Sequence, residues 1–361
     1  MPQLDGLRAL AVIGVVAYHW LPEHGHGLPL ASGVQLFFVI SGFLITTILL
    51  NLRDAAERGD TPWFKALRTF YARRFLRIVP LFYAVVAIGA ALKIAALRQS
   101  YPWHLAYASN LRFFLDQGWY KSVAHFWSLA VEEQFYLLWP LVVFFAPRQR
   151  LLAWFTGVLL SGIAFRALFP LVLPGVRLSE ILTPASFDSL ALGALLAYSR
   201  HVPNAVVARI RRHRRAIGLS AVGAYILVVY VGEATLAVAG WTLLSLAFAA
   251  AVDACSEGVR GPVGRIVSNP GLRYLGRISY GIYLIHNLVW YPIQWLGARW
   301  PGLPQDTLSQ FAFRTLLTLA LASLSFHLFE TPLNALKRHF PYPKLGDSAR
   351  TKPNDETALA A

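Results

Sequence analysis

Long apolar runs, separated by short polar and basic segments, fill most of this chain. Runs of about 17 to 25 apolar residues have the length of a helix that crosses a bilayer. Ten such runs cover residues 5–22, 33–52, 78–98, 125–146, 151–170, 184–199, 216–232, 236–252, 272–297 and 308–328. The pattern predicts an all-α fold, a polytopic membrane bundle of about ten transmembrane helices. We expect one integral-membrane domain over residues 1–335 and a tail over residues 336–361 that is basic, then polar and disordered.

Composition agrees with a membrane protein. Of 361 residues, 56% are hydrophobic and 14% are charged, whereas soluble domains carry about 25% charged residues. The formal charge of +15 would suggest nucleic acid in a soluble protein, but the basic residues fall between apolar runs, so we expect no nucleic-acid partner. Cys255 is the one cysteine, which excludes an intrachain disulfide and a cysteine metal cluster. We expect no metal.

The basic residues alternate between loops. If the N-terminus is inside, the inner loops hold clusters such as Arg73, Arg74 and Arg77, whereas the outer loops hold few. The outer basic residues are Arg98, Arg112, Lys121, Arg177 and Arg299. Because cytoplasmic loops carry an excess of Lys and Arg, the pattern predicts a multi-pass protein of the plasma (inner) membrane with both termini in the cytoplasm.

The first apolar run carries two ionisable residues, Arg8 and His19. At ~100° per residue, eleven positions return to the same helix face within about 20°, some 16 Å further along the axis. Ionisable groups in a membrane helix usually face the bundle interior and mark function. The alternative is that Arg8 reaches the interface with its long side chain and that His19 ends the helix.

A basic aromatic segment, WFKALRTFYARRFLRIVP, precedes the third run. It predicts an interfacial amphipathic helix that enters the membrane near Pro80. Its arginines either bind lipid head groups or recognise a phosphorylated substrate, which suits the guanidinium fork. Arg74 and Arg77, three residues apart, are the best candidates for the second role, and Arg73 beside them is included.

The fourth run, HFWSLAVEEQFYLLWP, places His125, Ser128, Glu132 and Tyr136 on one helix face, with Glu133 turned by roughly 100°. A carboxylate within a membrane helix needs a partner. Glu132 is therefore either half of a structural ion pair or a catalytic or substrate-binding group, and Ser128 and His125 on the same face are candidate substrate contacts.

Other polar positions are less specific. In the second run, Ser41–Gly42 indicates close helix packing, and Ser41 is also a candidate substrate contact. The ninth run carries a stripe with Tyr283 and His286, either interior or interfacial side chains or substrate contacts. Arg166 and Asp188 lie in the fifth and sixth runs.

Together these stretches resemble the membrane-bound acyltransferase family 3. The motifs that carry the resemblance are LDGLRALAVIGVVAYH, GVQLFFVISGFLI, FYARRFLRIVP, HFWSLAVEEQFYLLWP, LGRISYGIYLIH and FETP. The family's arginine and histidine, separated by ten residues, match Arg8 and His19. Its arginine pair matches Arg74 and Arg77, and its carboxylate matches Glu132. Relatives often have an arginine shortly before the aspartate of the sixth helix, but Ser186 and Phe187 stand there, which leaves the role of Asp188 open.

The resemblance implies an O-acyltransferase that moves an acyl group, usually acetyl, from cytoplasmic acetyl-CoA or another acyl-CoA to a hydroxyl of a carbohydrate or glycosylated metabolite. Within that hypothesis His19 is the general base, with Glu132 and Arg8 as further catalytic residues. The donor would bind Arg74, Arg77 and Arg73. Direct transfer and an acyl-histidine intermediate with ping-pong kinetics are both open, as is whether Glu132 orients His19 or pairs with Arg8.

Two other classes of protein are alternatives. A transporter of a small polar solute would also place charged residues on interior faces, although we find no inverted repeat. A lipid-binding scaffold would explain the basic loops without a use for His19 or Glu132.

Overall fold

The computed structural model describes residues 1–21, 29–202, 205–232, 235–299 and 307–343. The regular structure of these residues is helical throughout. Seven of the described helical segments are long and apolar enough to span a bilayer, by length and composition. They are Leu30–Glu57, Trp63–Ala91, Phe126–Phe145, Arg148–Val172, Arg214–Val231, Leu236–Glu257 and Ser309–His339.

We number the α-helices in chain order. They are α1 (Pro2–Trp20), α2 (Gly33–Glu57), α3 (Trp63–Ala91), α4 (Ala95–Leu105), α5 (Ser109–Asp116), α6 (Phe126–Phe145), α7 (Leu151–Val172), α8 (Phe187–His201), α9 (Ala205–Arg212), α10 (Arg214–Val231), α11 (Trp241–Glu257), α12 (Gly261–Val267), α13 (Pro270–Arg277), α14 (Ser279–Ile285), α15 (Trp290–Arg299), α16 (Thr307–Ser325) and α17 (Thr331–Ala335). Single π-helical turns, Leu236–Gly240 and Phe326–Glu330, precede α11 and follow α16.

The polytopic helical fold predicted from the sequence is confirmed, but the count of ten spans is not. Three predicted spans fall short for different reasons. Polar residues lower the mean hydropathy of α1, and α8 has only 15 residues. The ninth predicted span is divided into α13, α14 and α15, with turn residues at 286–289. The amphipathic segment and the third span, by contrast, form the single helix α3 with Pro80 inside it.

Helix α2 lies at the centre of the bundle and packs most extensively against α8. Two glycines allow this approach. A Cβ on Gly42 would lie 2.0 Å from the Leu190 carbonyl oxygen, and one on Gly193 would lie 2.2 Å from that of Val39. Only glycine therefore permits the contact between the two backbones, and it fixes the position of α2, which carries Ser41.

The outer helices expose apolar side chains. Leu171 of α7 is 75% exposed, and Leu219 and Tyr230 of α10 are 74% and 85% exposed. Soluble monomers seldom show large apolar surfaces of this kind, whereas lipid-facing helices do. The outer surface thus agrees with a multi-pass membrane protein.

The predicted C-terminal tail is described only in part. Residues Leu336–His339 form a 3₁₀ turn, and the Arg73 guanidinium donates hydrogen bonds of 3.1 Å to the carbonyl oxygens of Lys337 and Phe340. Residues 344–361 lie outside the described residues.

Candidate active site

A cavity of about 820 Å³, including its mouth, opens between α1, α2, α3, α6 and α14. Its polar lining residues are Arg8, Ser41, Arg74, Arg77, Ser128, Glu132, Glu133, Tyr136, Ser279, Tyr280 and Tyr283. Seven of the eleven residues proposed from the sequence are in this list. The other four are His19, His125, His286 and Arg73. The structure therefore gathers residues from five helices that are far apart in the chain.

Three arginines give the cavity its positive charge. Arg8 forms an ion pair of 3.1 Å with Asp5 on its own helix. The ion pairs formed within the described ranges include neither Arg74 nor Arg77. Guanidinium groups that line a cavity and form no ion pair are suited to an anionic ligand.

Arg73 has a different environment from its two neighbours. It donates to the carbonyl oxygens of Lys337 and Phe340, and its guanidinium lies 4.3 Å from the ring centre of Tyr342. The side chain therefore attaches α3 to the C-terminal segment. Its predicted contact with the donor stays a prediction.

Glu132 is held by a chain of hydroxyl groups. Tyr136 donates to Ser41 at 2.8 Å, and Ser41 donates to the Glu132 carboxylate at 2.6 Å. Arg8 and Arg77 line the same cavity as this carboxylate, but the ion pairs of the described residues do not include Glu132. Whether Glu132 orients His19 or pairs with Arg8 stays a prediction.

A pair of hydroxyls lies at the side of the cavity that faces His125 and His286. Ser128 and Tyr283 are 2.5 Å apart. Both hydroxyls also lie within hydrogen-bond distance of the His125 carbonyl oxygen, Ser128 at 3.0 Å and Tyr283 at 3.3 Å, so either one can donate in the bond between them. The ring of Tyr283 lies 5.6 Å and 5.7 Å, between ring centres, from His125 and His286.

Beyond Tyr283 lies a cluster of three histidines, which we call the histidine cluster: His19 of α1, His125 just before α6, and His286 just after α14. The ring centres of His19 and His286 are 5.0 Å apart, those of His125 and His286 4.6 Å, and those of His19 and His125 6.5 Å. His125 and His286 are buried, whereas His19 is half-buried. In the described part of the chain, no group of His, Cys, Asp and Glu has the geometry of a metal site.

A second polar network lies between α7, α8 and α11, outside the cavity lining. Arg166 pairs with Asp188 at 2.7 Å, and Thr242 donates to the same carboxylate at 2.6 Å. Ser189 and Ser245 share a bond of 2.6 Å beside them. Asp188 thus receives its arginine from the preceding helix, not from its own helix, and the network holds three helices together.

The sequence did not single out every residue of the cavity. Glu133 and Tyr280 line it, although Glu133 was placed away from the Glu132 face. The Tyr280 hydroxyl donates to the Ile78 carbonyl at 2.9 Å. A cavity bounded by five helices is lined by side chains from a wider arc of each helix than one face. Glu133, about 100° from Glu132, falls within such an arc.

The chain matches a family profile described as an acyltransferase domain over residues 1–327. The match includes each helix that lines the cavity and each member of the histidine cluster. No solved structure matches this chain.

Two curated relatives illustrate the similarity. The peptidoglycan O-acetyltransferase OatA of Listeria monocytogenes is 30% identical, with 92% of this chain and 56% of the relative aligned. The O-acetyltransferase OatA of Staphylococcus aureus is 28% identical, with 92% and 57% aligned. The chain therefore spans just over half the length of these relatives.

Proposed function

The chain belongs to the acyltransferase domain family, and from that membership we propose that it is an integral-membrane O-acyltransferase. It moves an acyl group, acetyl in the simplest case, from acyl-CoA to a hydroxyl of a carbohydrate. The observation that carries this proposal is the arrangement of an arginine-lined cavity directly beside the histidine cluster, with Tyr283 in contact with both. The relatives named above do not support the transporter alternative.

The cavity is the proposed site of the donor. A CoA thioester carries phosphates at one end and an acyl group at the other, so its site needs cations at one side and a reactive centre at the opposite side. Arg74 and Arg77 would bind the phosphates in the bidentate manner that suits guanidinium groups, with Arg8 nearer the thioester. The basic loops support entry of the donor from the cytoplasm.

Glu132 is proposed to hold the cavity arginines in place. Its carboxylate accepts a hydrogen bond from Ser41 and lines the same cavity as Arg8 and Arg77, so its negative charge would favour one position of the guanidinium groups before the donor arrives. Such preorganisation lowers the free energy needed to order the site on binding. Ser41, Ser128 and Tyr283 supply hydroxyls along the same wall for contacts with the substrates.

His19 is the proposed general base. It takes the proton of the acceptor hydroxyl, whose oxygen attacks the thioester carbonyl. The carbon–sulfur bond of the tetrahedral intermediate then breaks, an ester is formed, and the CoA thiolate recovers the proton from the His19 imidazolium. A neutral imidazole suits this exchange near neutral pH. His125 and His286 belong to the wall of the acceptor side in this scheme.

The acceptor is proposed to be a carbohydrate outside the membrane, and a peptidoglycan sugar is the first compound to test because of the relatives' names. The half-buried position of His19, at the opposite end of α1 from Arg8, supports access from the outer side. The two substrates would then approach the reaction centre from opposite faces.

The test uses the protein in lipid nanodiscs with radiolabelled acetyl-CoA and soluble peptidoglycan fragments. We expect labelled ester on the sugar together with one free CoA per ester. The His19→Ala variant should lose transfer by at least about 100-fold and still bind acetyl-CoA. Arg74→Ala should bind acetyl-CoA more weakly. Its matched control is Arg68→Ala, which changes an exposed residue of α3 and should transfer normally. Full transfer by His19→Ala would refute the role of His19 as the general base. Failure of the wild-type protein to bind acetyl-CoA would refute acyl-CoA as the donor.

A further inference from the structure

His286 is the member of the histidine cluster that contacts His19 through a hydrogen bond. Its Nε2 lies 3.1 Å from Nδ1 of His19, and its ring is completely buried. It does not line the cavity. The hydrogen bond to His19 therefore links His286 to the proposed reaction centre.

The hydrogen bonds of His286 define which of its nitrogens carries the proton. Nδ1 lies 2.6 Å from the backbone carbonyl oxygen of Tyr283. A carbonyl oxygen only accepts, so Nδ1 carries a hydrogen and donates it. In a neutral ring the other nitrogen, Nε2, then has a free lone pair and can only accept.

The same reasoning applies to His19. Its Nδ1 lies 2.9 Å from the carbonyl oxygen of Val15, one turn earlier in α1, and therefore carries a hydrogen. That hydrogen is shared between the Val15 carbonyl and the lone pair of His286. Nε2 of His19 is left without a proton, which is the form that a general base requires.

Because the ninth predicted span is divided, backbone carbonyl groups beside His286 are available as hydrogen-bond acceptors. Helix α14 ends at Ile285 and residues 286–289 form a turn, so carbonyl groups near its end are free to accept side-chain hydrogen bonds. The Tyr283 carbonyl binds His286, and the Leu284 carbonyl accepts from Nε2 of His125 at 3.1 Å. The helix end thus orients two of the three histidines.

We propose that His286 is a positioning residue for His19: its Nε2 accepts the Nδ1 hydrogen of His19 and so orients the ring with Nε2 of His19 free to act as the base. The proposal rests on the proposed function of His19. When His19 takes a proton at Nε2, the Nδ1 hydrogen of the resulting imidazolium still faces the His286 lone pair. His286 thereby supports the charged form as the third group of a base triad does, but without a negative charge of its own.

Two variants separate positioning from packing. His286→Leu keeps a buried apolar side chain and removes the acceptor, and we expect kcat to fall by about 100-fold with the KM for acetyl-CoA within twofold of the wild type. His286→Gln places an amide oxygen near the former Nε2 and should restore at least a tenth of the wild-type kcat. His104→Leu removes another fully buried histidine, which binds Ser109, and should leave kcat unchanged.

A measurement without turnover tests the hydrogen bond itself. In ¹⁵N-histidine-labelled protein, the His19 signals are identified by their loss in His19→Asn. We expect a protonated Nδ1 and an unprotonated Nε2 in the wild type, and a mixture of tautomers or a broadened signal in His286→Leu. A protonated Nε2 in the neutral wild-type ring would overturn the proposal.

The activity results distinguish the two proposals. If the wild type transfers acyl groups and His286→Leu has full kcat, or His104→Leu is equally impaired, the positioning role is refuted and the proposed function stands. If the wild type shows the expected tautomer but transfers no acyl group from any acyl-CoA, the proposed function is refuted, and the positioning role in catalysis falls with it.

Discussion

The Ser41 hydroxyl donates to the Glu132 carboxylate at 2.6 Å and so joins the central helix α2 to α6 inside the cavity. The bond depends on the close approach of α2 to α8 at Gly42, which fixes the neighbouring Ser41. Ser41, which the sequence indicated as a packing residue or a substrate contact, thus also holds a carboxylate in the proposed donor site.

Loss of this bond should weaken donor binding. In Ser41→Ala the carboxylate is less restrained, and Arg8 and Arg77 lose a fixed counter-charge, so we expect the KM for acetyl-CoA to rise about fivefold, the equivalent of roughly 1 kcal/mol. Glu132→Gln should have a larger effect because the charge itself is removed. Initial rates against acetyl-CoA concentration measure both. Ser161→Ala, which changes a hydroxyl bound to its own helix, is the control. An unchanged KM in Glu132→Gln would show that the carboxylate does not act on the donor site.

The arginines of α3 should separate into two groups. Arg74→Lys and Arg77→Lys keep the charge but lose the planar fork, so the KM for acetyl-CoA should rise by about tenfold. Arg73→Ala should instead lower the temperature at which the detergent-solubilised protein loses its monodisperse gel-filtration peak, because Arg73 holds the segment at Lys337 and Phe340. Its effect on KM should be smaller than that of Arg74→Ala. An equal or larger rise in KM would place Arg73 among the donor contacts.

Helix faces predicted a large part of the site. The eleven-residue spacing of Arg8 and His19 puts both on one side of α1, and the shared face of Ser128 and Glu132 lines the cavity. Such periodicity is a local property of one helix, which a sequence displays directly. The all-helical membrane fold follows from apolar length in the same way.

Contacts between helices were not predictable in the same manner. The pairing of Asp188 with Arg166 joins two helices, and no spacing within one helix reveals it. The helix end before His286 is also hidden, because the proline at which the run from 272 to 297 is expected to break is Pro292, after the observed turn at 286–289. The tautomers of the histidine cluster depend on that break, so they required the structure.

The Arg166–Asp188 pair should support the fold more than the chemistry. Both side chains are buried, and removal of one partner leaves an uncompensated charge, which destabilises by about 3–5 kcal/mol. We expect Asp188→Asn and Arg166→Met to lower the yield of folded protein and its thermal stability, and the double variant to recover part of both. The kcat of the folded fraction should stay close to that of the wild type, because neither residue lines the cavity or belongs to the histidine cluster.

An exposed ion pair serves as the control for this experiment. Arg58 and Asp60 are 2.9 Å apart and more than 40% exposed, so Asp60→Asn should change stability by less than about 1 kcal/mol. A loss of kcat in folded Asp188→Asn comparable to that of His19→Ala would instead assign the buried pair to the reaction.

The Tyr283–Ser128 hydrogen bond lies where an acyl group would leave the cavity and reach the histidine cluster. Tyr283→Phe keeps the ring against His125 and His286 but removes the bond of 2.5 Å, and we expect α6 and α14 to separate more readily at the boundary between the cavity and the histidine cluster. A bond worth about 1 kcal/mol corresponds to roughly a fivefold change in the fraction of molecules in which this boundary is open. Without acceptor sugar, Tyr283→Phe should therefore release CoA from acetyl-CoA about fivefold faster than the wild type, as water reaches the thioester.

Tyr71→Phe removes a hydroxyl that binds the Leu137 carbonyl outside the cavity and should match the wild type. A slower release in Tyr283→Phe would mean that the hydroxyl contacts the reacting groups directly.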